Sequence, residues 1–332
     1  MSKVAFVTGA TGFLGQNLVN SLLEQHWTVI AFVRATSVTA PLTARGGVTC
    51  VVGNMLDAAS IAAAMPLDVD AVFHVAANTS LWVATHRLQY EENVYGTKAM
   101  CDAAVQRRAK RFVFVSSISA YGYVPHVLVE TTPDDGRRDY SMNYSRSKRD
   151  AEVVVRDAIA SHGLDAVIVN PGQIVGPHDT KNFSRIFLML AKNRLDGIPP
   201  GMGSFAYAPD VADATIAAAE RGRVGENYLL GGETASYRDL IVNAATLMGK
   251  KETRRPLPRW VVLLLGRLYD LYSVYWSHVE PEISYDVAYE VCATSIVDST
   301  KAKTELGYQT RTLGEILPPT LQWLESNGHF AT

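Results

Sequence analysis

Tyr144 and Lys148 stand four residues apart in a segment whose periodicity predicts a helix over Tyr144–Ser161, so their side chains share one helix face. An unperturbed tyrosine, with a pKa of about 10, is almost wholly protonated at neutral pH. A neighbouring ammonium favours the phenolate, so the pair suits a tyrosine that gives a proton to a carbonyl oxygen or takes one from an alcohol. Ser116, Ser117 and Ser119 follow the apolar run Arg111–Val115. A hydroxyl past such a strand end can stabilise negative charge developing on the same oxygen, and the residues alone leave open which serine does so. Tyr140 precedes Tyr144 by one turn but has no lysine four residues on, so it is not read as the proton-transfer tyrosine.

A second constellation opens the chain. Thr8-Gly9-Ala10-Thr11-Gly12-Phe13-Leu14-Gly15 links the strand-like Val4–Val7 to an amphipathic run carrying Leu18, Val19, Leu22 and Leu23. Gly9 permits a tight turn, Gly12 lets backbone approach a pyrophosphate, and Gly15 allows close packing of helix on strand. The free N–H groups at the helix start, with the macrodipole behind them, suit the phosphates of a dinucleotide.

These residues need a scaffold, and the hydropathy pattern supplies one. Strands are expected at Val4–Val7, Val29–Val33, Val48–Val52, Ala71–Val75, Arg111–Val115 and Leu164–Val169, with helices between them, including a long one over Arg87–Arg107. Strands apolar throughout and alternating with helices predict an α/β fold, a doubly wound parallel sheet of Rossmann type covered on both faces. After Pro171 the punctuation changes: Pro177, Gly197, Pro199, Pro200, Gly201 and Gly203 are followed by helical runs near 210–220, 237–248, 258–276 and 313–327. The expected organisation is a dinucleotide-binding domain over residues 1–175 and a smaller, mainly helical substrate lobe over 176–330, partly interleaved with it.

Taken together, the glycine loop, His74-Val75-Ala76-Ala77, Asn93-Val94-Tyr95-Gly96-Thr97, Ser116-Ser117-Ile118-Ser119-Ala120-Tyr121-Gly122, Tyr144-Ser145-Arg146-Ser147-Lys148 and Asn170-Pro171-Gly172-Gln173-Ile174-Val175-Gly176-Pro177 resemble the extended short-chain dehydrogenase/reductase family. Order and spacing match over roughly residues 3–180. Pro199-Pro200-Gly201-Met202-Gly203-Ser204-Phe205 and Tyr228-Leu229-Leu230-Gly231-Gly232 look more loosely like its dihydroflavonol-reductase-like branch. The resemblance implies a nicotinamide dinucleotide as cofactor and selects Ser117, Tyr144 and Lys148 as catalytic residues, with Lys148 also bonding the nicotinamide ribose. It places Gly9, Thr11, Gly12, Phe13, Leu14, Gly15, Met55, Leu56, Asp57, Ala76, Ala77, Pro171 and Ile174 along the cofactor. Asp57 suits a helix N-cap equally well, and the turn after the sixth strand explains Pro171 as well. A packed core role is at least as good for His74. A homodimer through the helices after the fourth and fifth strands is implied too.

The second strand ends at Arg34, where an acidic residue would bind the adenosine ribose of NAD. An arginine there pairs with the 2′-phosphate of NADP, so NADPH/NADP is expected ahead of NAD. Asn78, Ser80, Trp82, Tyr140, Gln173 and Phe205 are candidates to line the substrate pocket. The apolar, aromatic stretch Pro258–Trp276 follows Lys250, Lys251, Arg254, Arg255 and Arg259. Such a pattern can lie on an anionic membrane, but a packed helix roofing an apolar pocket or filling the lobe core is preferred, so membrane contact is not expected.

Bulk properties narrow the classes. The 332 residues carry 31 Lys and Arg against 33 Asp and Glu, which gives no electrostatic reason to bind nucleic acid. The three cysteines, Cys50, Cys101 and Cys292, are scattered, and the eight histidines show no metal-ligand spacing, so neither disulfides nor a metal is expected. No secretory-signal pattern follows Met1, and the longest unbroken apolar run, Trp260–Leu265, is far short of a bilayer span, so a cytoplasmic enzyme is expected. The leading reading is an NADPH-dependent carbonyl reductase acting reversibly on an apolar or aromatic aldehyde or ketone. The alternatives are a sugar-nucleotide epimerase or dehydratase with tightly bound NAD, a hydroxysteroid-type alcohol dehydrogenase and, weakest, a non-catalytic dinucleotide sensor.

Overall fold

The structure, a computed structural model, describes residues 2–124, 126–133 and 138–330. The N-terminal elements are β1 (Val4–Thr8), α1 (Phe13–Glu24), β2 (Thr28–Val33), α2 (Ala40–Thr43), β3 (Val48–Val52), α3 (Ala58–Ala64) and β4 (Ala71–His74). Next come α4 (His86–Tyr90), α5 (Gly96–Gln106), β5 (Phe112–Val115), α6 (Asn143–His162) and β6 (Ala166–Pro171). Then follow β7 (Gln173–Val175), α7 (Phe183–Ala191), β8 (Met202–Tyr207), α8 (Ala208–Arg221), β9 (Asn227–Leu230), β10 (Glu233–Ser236) and α9 (Tyr237–Leu247). The chain ends with α10 (Arg259–Tyr272), α11 (Tyr285–Cys292), α12 (Thr300–Leu306) and α13 (Leu313–Ser326).

Seven strands form one parallel sheet in the order β3-β2-β1-β4-β5-β6-β9. Leu18, Leu22, Val211 and Ala218 of α1 and α8 cover one face, while Ile61, Met100, Ala104 and Val155 of α3, α5 and α6 cover the other. Both faces are therefore dry, which is why the strands read as unbroken apolar runs. The order reverses between β1 and β4, and the crevice at their C-terminal ends is where such sheets take ligands.

The C-terminal half is mainly helical, as expected, and carries two features the hydropathy pattern does not place. β9 leaves it to become the seventh strand beside β6. A separate sheet, β10-β8-β7, also runs through it, β8 parallel to β7 and antiparallel to β10. The long helix expected over Arg87–Arg107 is divided into α4 and α5 by a π turn at Glu91–Tyr95. Asn93 in that turn accepts from the Asn78 N–H at 2.7 Å and donates to the Ser147 hydroxyl at 3.0 Å, so the widened turn ties the loop after β4 to α6.

The expectation for Pro258–Trp276 fails. Only Val262 and Gly266 of α10 are buried, together with Ser273 in the π turn that continues it to Ser277. A β-carbon at Gly266 would lie 2.8 Å from that of Ala288, so α10 is pressed against α11 along this narrow stripe. Its aromatic face points outward instead of roofing the lobe. Among the described residues, no helix is long and apolar enough to cross a membrane.

Candidate active site

The β1–α1 turn is closed to any residue but glycine at two points. Gly9 has φ +71°, and a β-carbon on it would stand 2.7 Å from the Ala76 nitrogen. One on Gly15 would stand 2.0 Å from the Gly9 carbonyl oxygen. The Ala76 N–H is fixed by Thr8 Oγ1 at 3.1 Å, and Thr8 Oγ1 lies 2.8 Å from His74 Nδ1, whose Nε2 lies 3.1 Å from Thr97 Oγ1. His74 is buried, and burial followed by the Lys148 charge pushes its pKa down to about 3. It is thus a neutral core histidine that locks β1, β4 and α5 together, not a cofactor ligand through its ring.

Gly12 is the exposed N-cap of α1, whose first N–H groups have no side-chain cap. Thr11 and Phe13 flank it, partly buried, whereas the Leu14 side chain is in the core and only its backbone is available to a phosphate. Arg34 is exposed past the end of β2 and forms no ion pair among the described residues. Asp57 caps α3 by accepting from the Ala59 N–H at 3.0 Å, and Leu56 beside it is exposed while Met55 packs on the sheet. The glycine cradle, the uncapped helix start, the exposed cation and the Ala76–Ala77 wall together fit a dinucleotide. Pro171 is buried at the end of β6, and Ile174 lies partly buried on β7.

Ser117, Tyr144 and Lys148 converge past the end of β5. Ser117 begins a 3-10 turn over Ile118–Tyr121, accepting from the Ser119 N–H at 3.1 Å. Its hydroxyl faces the Tyr144 phenol closely enough to oppose the rise of that group's pKa. Asn170 Nδ2 donates to the Ser117 carbonyl at 3.0 Å and to Glu152 Oε1 at 2.6 Å, which fixes the turn against α6. Lys148 is buried, with Nζ donating to the Val115 carbonyl at 2.9 Å and lying 5.1 Å from the Phe114 ring centroid. Burial lowers its pKa to about 8, opposed by the Glu152 charge.

The electrostatics differ from the expected phenolate. Burial pushes the Tyr144 phenol above its ordinary value, the Glu290 charge adds to this, and the Ser117 hydroxyl opposes it. The phenol is held as a proton donor.

Glu290, on α11, was invisible to sequence reasoning because a lone carboxylate on an amphipathic helix reads as a solvated face. Among the described residues it has no hydrogen-bond or ion-pair partner, and its charge acts on Tyr144, Tyr123 and Tyr237. Burial and then Asp286 raise it to about 7. Tyr123 is a second unforeseen wall residue, packed edge-on to Tyr289 at 5.5 Å.

The expected pocket residues divide. Gln173 accepts from the Ser204 N–H at 2.9 Å and lines a small cavity with Ile118, Ser119, Tyr123, Leu128 and Val297. Asn78 donates to Glu92 at 2.8 Å, and Ser80 donates to Glu280 at 3.0 Å, so both hold the loop after β4. Trp82 is partly buried there, its indole N–H without a hydrogen-bond partner among the described residues. The Tyr140 ring lies 4.6 Å from the Arg149 guanidinium, and its hydroxyl accepts from Arg138 at 3.1 Å. Phe205 is a correction. It is fully buried between Phe183 and Tyr237, because alternation on β8 turns it into the lobe core and away from any pocket.

A sequence model of the NAD dependent epimerase/dehydratase family matches residues 5–231. The chain belongs to that family. Its members are extended short-chain dehydrogenases, and this protein is accordingly an NAD(P)-dependent enzyme acting on CH–OH or C=O groups. It is 29% identical to a putative dihydroflavonol 4-reductase of Synechocystis sp., over 100% of this chain and 97% of that protein. It is also 29% identical to sterol demethylase protein B of Methylococcus capsulatus, over 97% of this chain and 98% of the relative. The crystal structure of gox2253, 28% identical, superposes with a TM-score of 0.83 over 98% of this chain and 99% of that one.

Proposed function

We propose that the protein is an NADPH-dependent carbonyl reductase that interconverts apolar or aromatic aldehydes or ketones and their alcohols. The observation that carries this reading is the convergence of Ser117, Tyr144 and Lys148 past the end of β5, at the same edge of the parallel sheet as the glycine turn after β1. The bound nicotinamide supplies or accepts the hydride. Tyr144 donates the proton to the substrate oxygen, and the Ser117 hydroxyl stabilises the charge developing there. Lys148, held by the Val115 carbonyl, would bond the nicotinamide ribose and favour the charge left on Tyr144 when it gives up its proton. Arg34 suits the 2′-phosphate of NADPH.

Substrate class rests on the lining. Tyr123 and Val297, partly buried beside Ser119, offer apolar surface that would favour an apolar ligand by removing its surface from water. The Glu290 carboxylate repels anionic groups near Tyr144, which disfavours a nucleotide diphosphate. The relatives named for a dihydroflavonol and a sterol point the same way. A sugar-nucleotide epimerase or dehydratase is the second reading, favoured by the family's own description. The two are separated by one assay pair: NADPH consumption with apolar aldehydes and ketones, and chromatography of UDP- and dTDP-sugars incubated with the enzyme. Consumption of NADPH supports the reductase. Conversion of a nucleotide sugar without net cofactor use overturns it.

A further inference from the structure

We propose that the outward face of α10 docks the protein on an anionic membrane surface. Trp260, Tyr275 and Trp276 are 68%, 67% and 70% exposed, and Leu264, Leu268, Leu271, Tyr272 and Val279 between and beyond them are exposed as well. At 100° per residue Trp260, Leu264, Leu268, Leu271 and Tyr272 spread over about a third of the circumference of α10, and Tyr275 and Trp276 follow in the π turn. A contiguous apolar surface of this kind is unusual on a protein that stays in water.

The face is fixed outward by what lies behind it. Gly266 is pressed against Ser284 and Ala288, and Asp270 accepts from the Tyr285 N–H at 2.8 Å. Arg267 lies 4.8 Å from the Tyr285 ring and Arg259 5.3 Å from the Tyr289 ring. α10 therefore cannot roll its aromatic side inward without breaking its seat on α11.

Composition and charge select the occupant. Tryptophan and tyrosine around aliphatic residues is the make-up of a helix lying in a membrane interface, where the ring bodies are apolar and their polar atoms stay wet. The approach to α10 is basic. Lys251 and Arg255 are exposed and form no ion pair among the described residues, while the carboxylate beside them, Glu252, is occupied by Arg254 at 2.6 Å. The acidic residues Glu280 and Glu282 lie past the opposite end of the face, and Glu280 is held by Ser80. This polarity directs the N-terminal end of α10 toward anionic headgroups, each basic residue contributing within a Debye length of the surface. The docking does not depend on which carbonyl compound the enzyme turns over.

The test is flotation of the full-length protein with vesicles of phosphatidylglycerol and phosphatidylethanolamine, and with pure phosphatidylcholine vesicles. Wild type is expected to float with the anionic vesicles and at least tenfold less with phosphatidylcholine. The variant Trp260→Ser/Leu268→Ser/Trp276→Ser is expected to lose vesicle binding while keeping its turnover of a water-soluble substrate. Lys251→Glu/Arg255→Glu should lower binding to anionic vesicles alone. Brominated lipid should quench wild-type tryptophan fluorescence, a readout that needs no variant to fold. Failure of the wild type to bind or be quenched overturns the proposal. So does a wild-type dimer in light scattering that the triple substitution dissolves, because the face is then a contact between two copies of this chain.

Discussion

The carboxylate of Glu290, on a helix of the C-terminal half, lies close enough to the Tyr144 phenol to raise its pKa, yet has no hydrogen-bond partner among the described residues. When the phenol gives up its proton the two groups carry like charge. The rate of reduction should therefore fall as pH rises through about 7, where Glu290 ionises. In Glu290→Gln this fall should vanish, leaving the later one near pH 8 where Lys148 loses its charge. The measurement is kcat/KM against pH for both proteins. Identical profiles would remove Glu290 from the chemistry.

The same carboxyl affects stability, with a defined sign. Its folded-state pKa of about 7 is above the ordinary value, 4.5, so the folded protein retains a proton that the unfolded chain has lost. Stability from this group is lost as pH rises between those values. Glu290→Gln should melt at a higher temperature than wild type at pH 8, and the gap should close at pH 5.

Tyr144→Phe removes the proton donor and should lower kcat by about 10²- to 10⁴-fold, with NADPH binding by fluorescence nearly unchanged. Ser117→Ala should cost roughly 10²- to 10³-fold in kcat. Lys148→Ala should weaken cofactor binding as well as turnover. A Tyr144→Phe enzyme with full activity would end the proposed mechanism.

Arg34→Asp places a negative charge where the 2′-phosphate is expected. The ratio of kcat/KM for NADPH over NADH should drop by roughly tenfold, or about 1.4 kcal/mol. A wild-type preference for NADH, or an unchanged ratio in the variant, would show that Arg34 is an ordinary surface residue.

Phe205→Ala distinguishes a core residue from a pocket wall. Its ring is fully buried against Phe183 and Tyr237, so the substitution should destabilise the fold by about 3–5 kcal/mol in denaturant titration. A stable variant with altered substrate preference would instead return Phe205 to the pocket.

The parts legible in the sequence are those where local geometry dictates residue type. Gly9 and Gly15 must lack a β-carbon, and Tyr144 and Lys148 must be one helical turn apart, so type and spacing carry the information. The strands buried on both faces announce themselves through unbroken apolar runs such as Phe112–Val115. Other features depend on contacts made at long range. β7 and β8 are short, and Met202-Gly203-Ser204 resembles a loop until β10 pairs beside it. Glu290 reaches Tyr144 only through the folding back of the C-terminal half. The outward face of α10 has the same periodicity as a buried one, and only the position of α11 determines which side is covered.

The place of β9 has a consequence for synthesis. Until Asn227–Leu230 emerge from the ribosome, β6 is the open edge of a six-stranded sheet, with the Ile168 and Gly172 N–H groups lacking the Glu226 and Leu230 carbonyls that later accept from them. Those unpaired groups can template pairing with another nascent chain. A gene truncated just after Val175 would keep every residue of the proposed catalytic set and should still yield aggregate, because the strand that seals the sheet is encoded downstream.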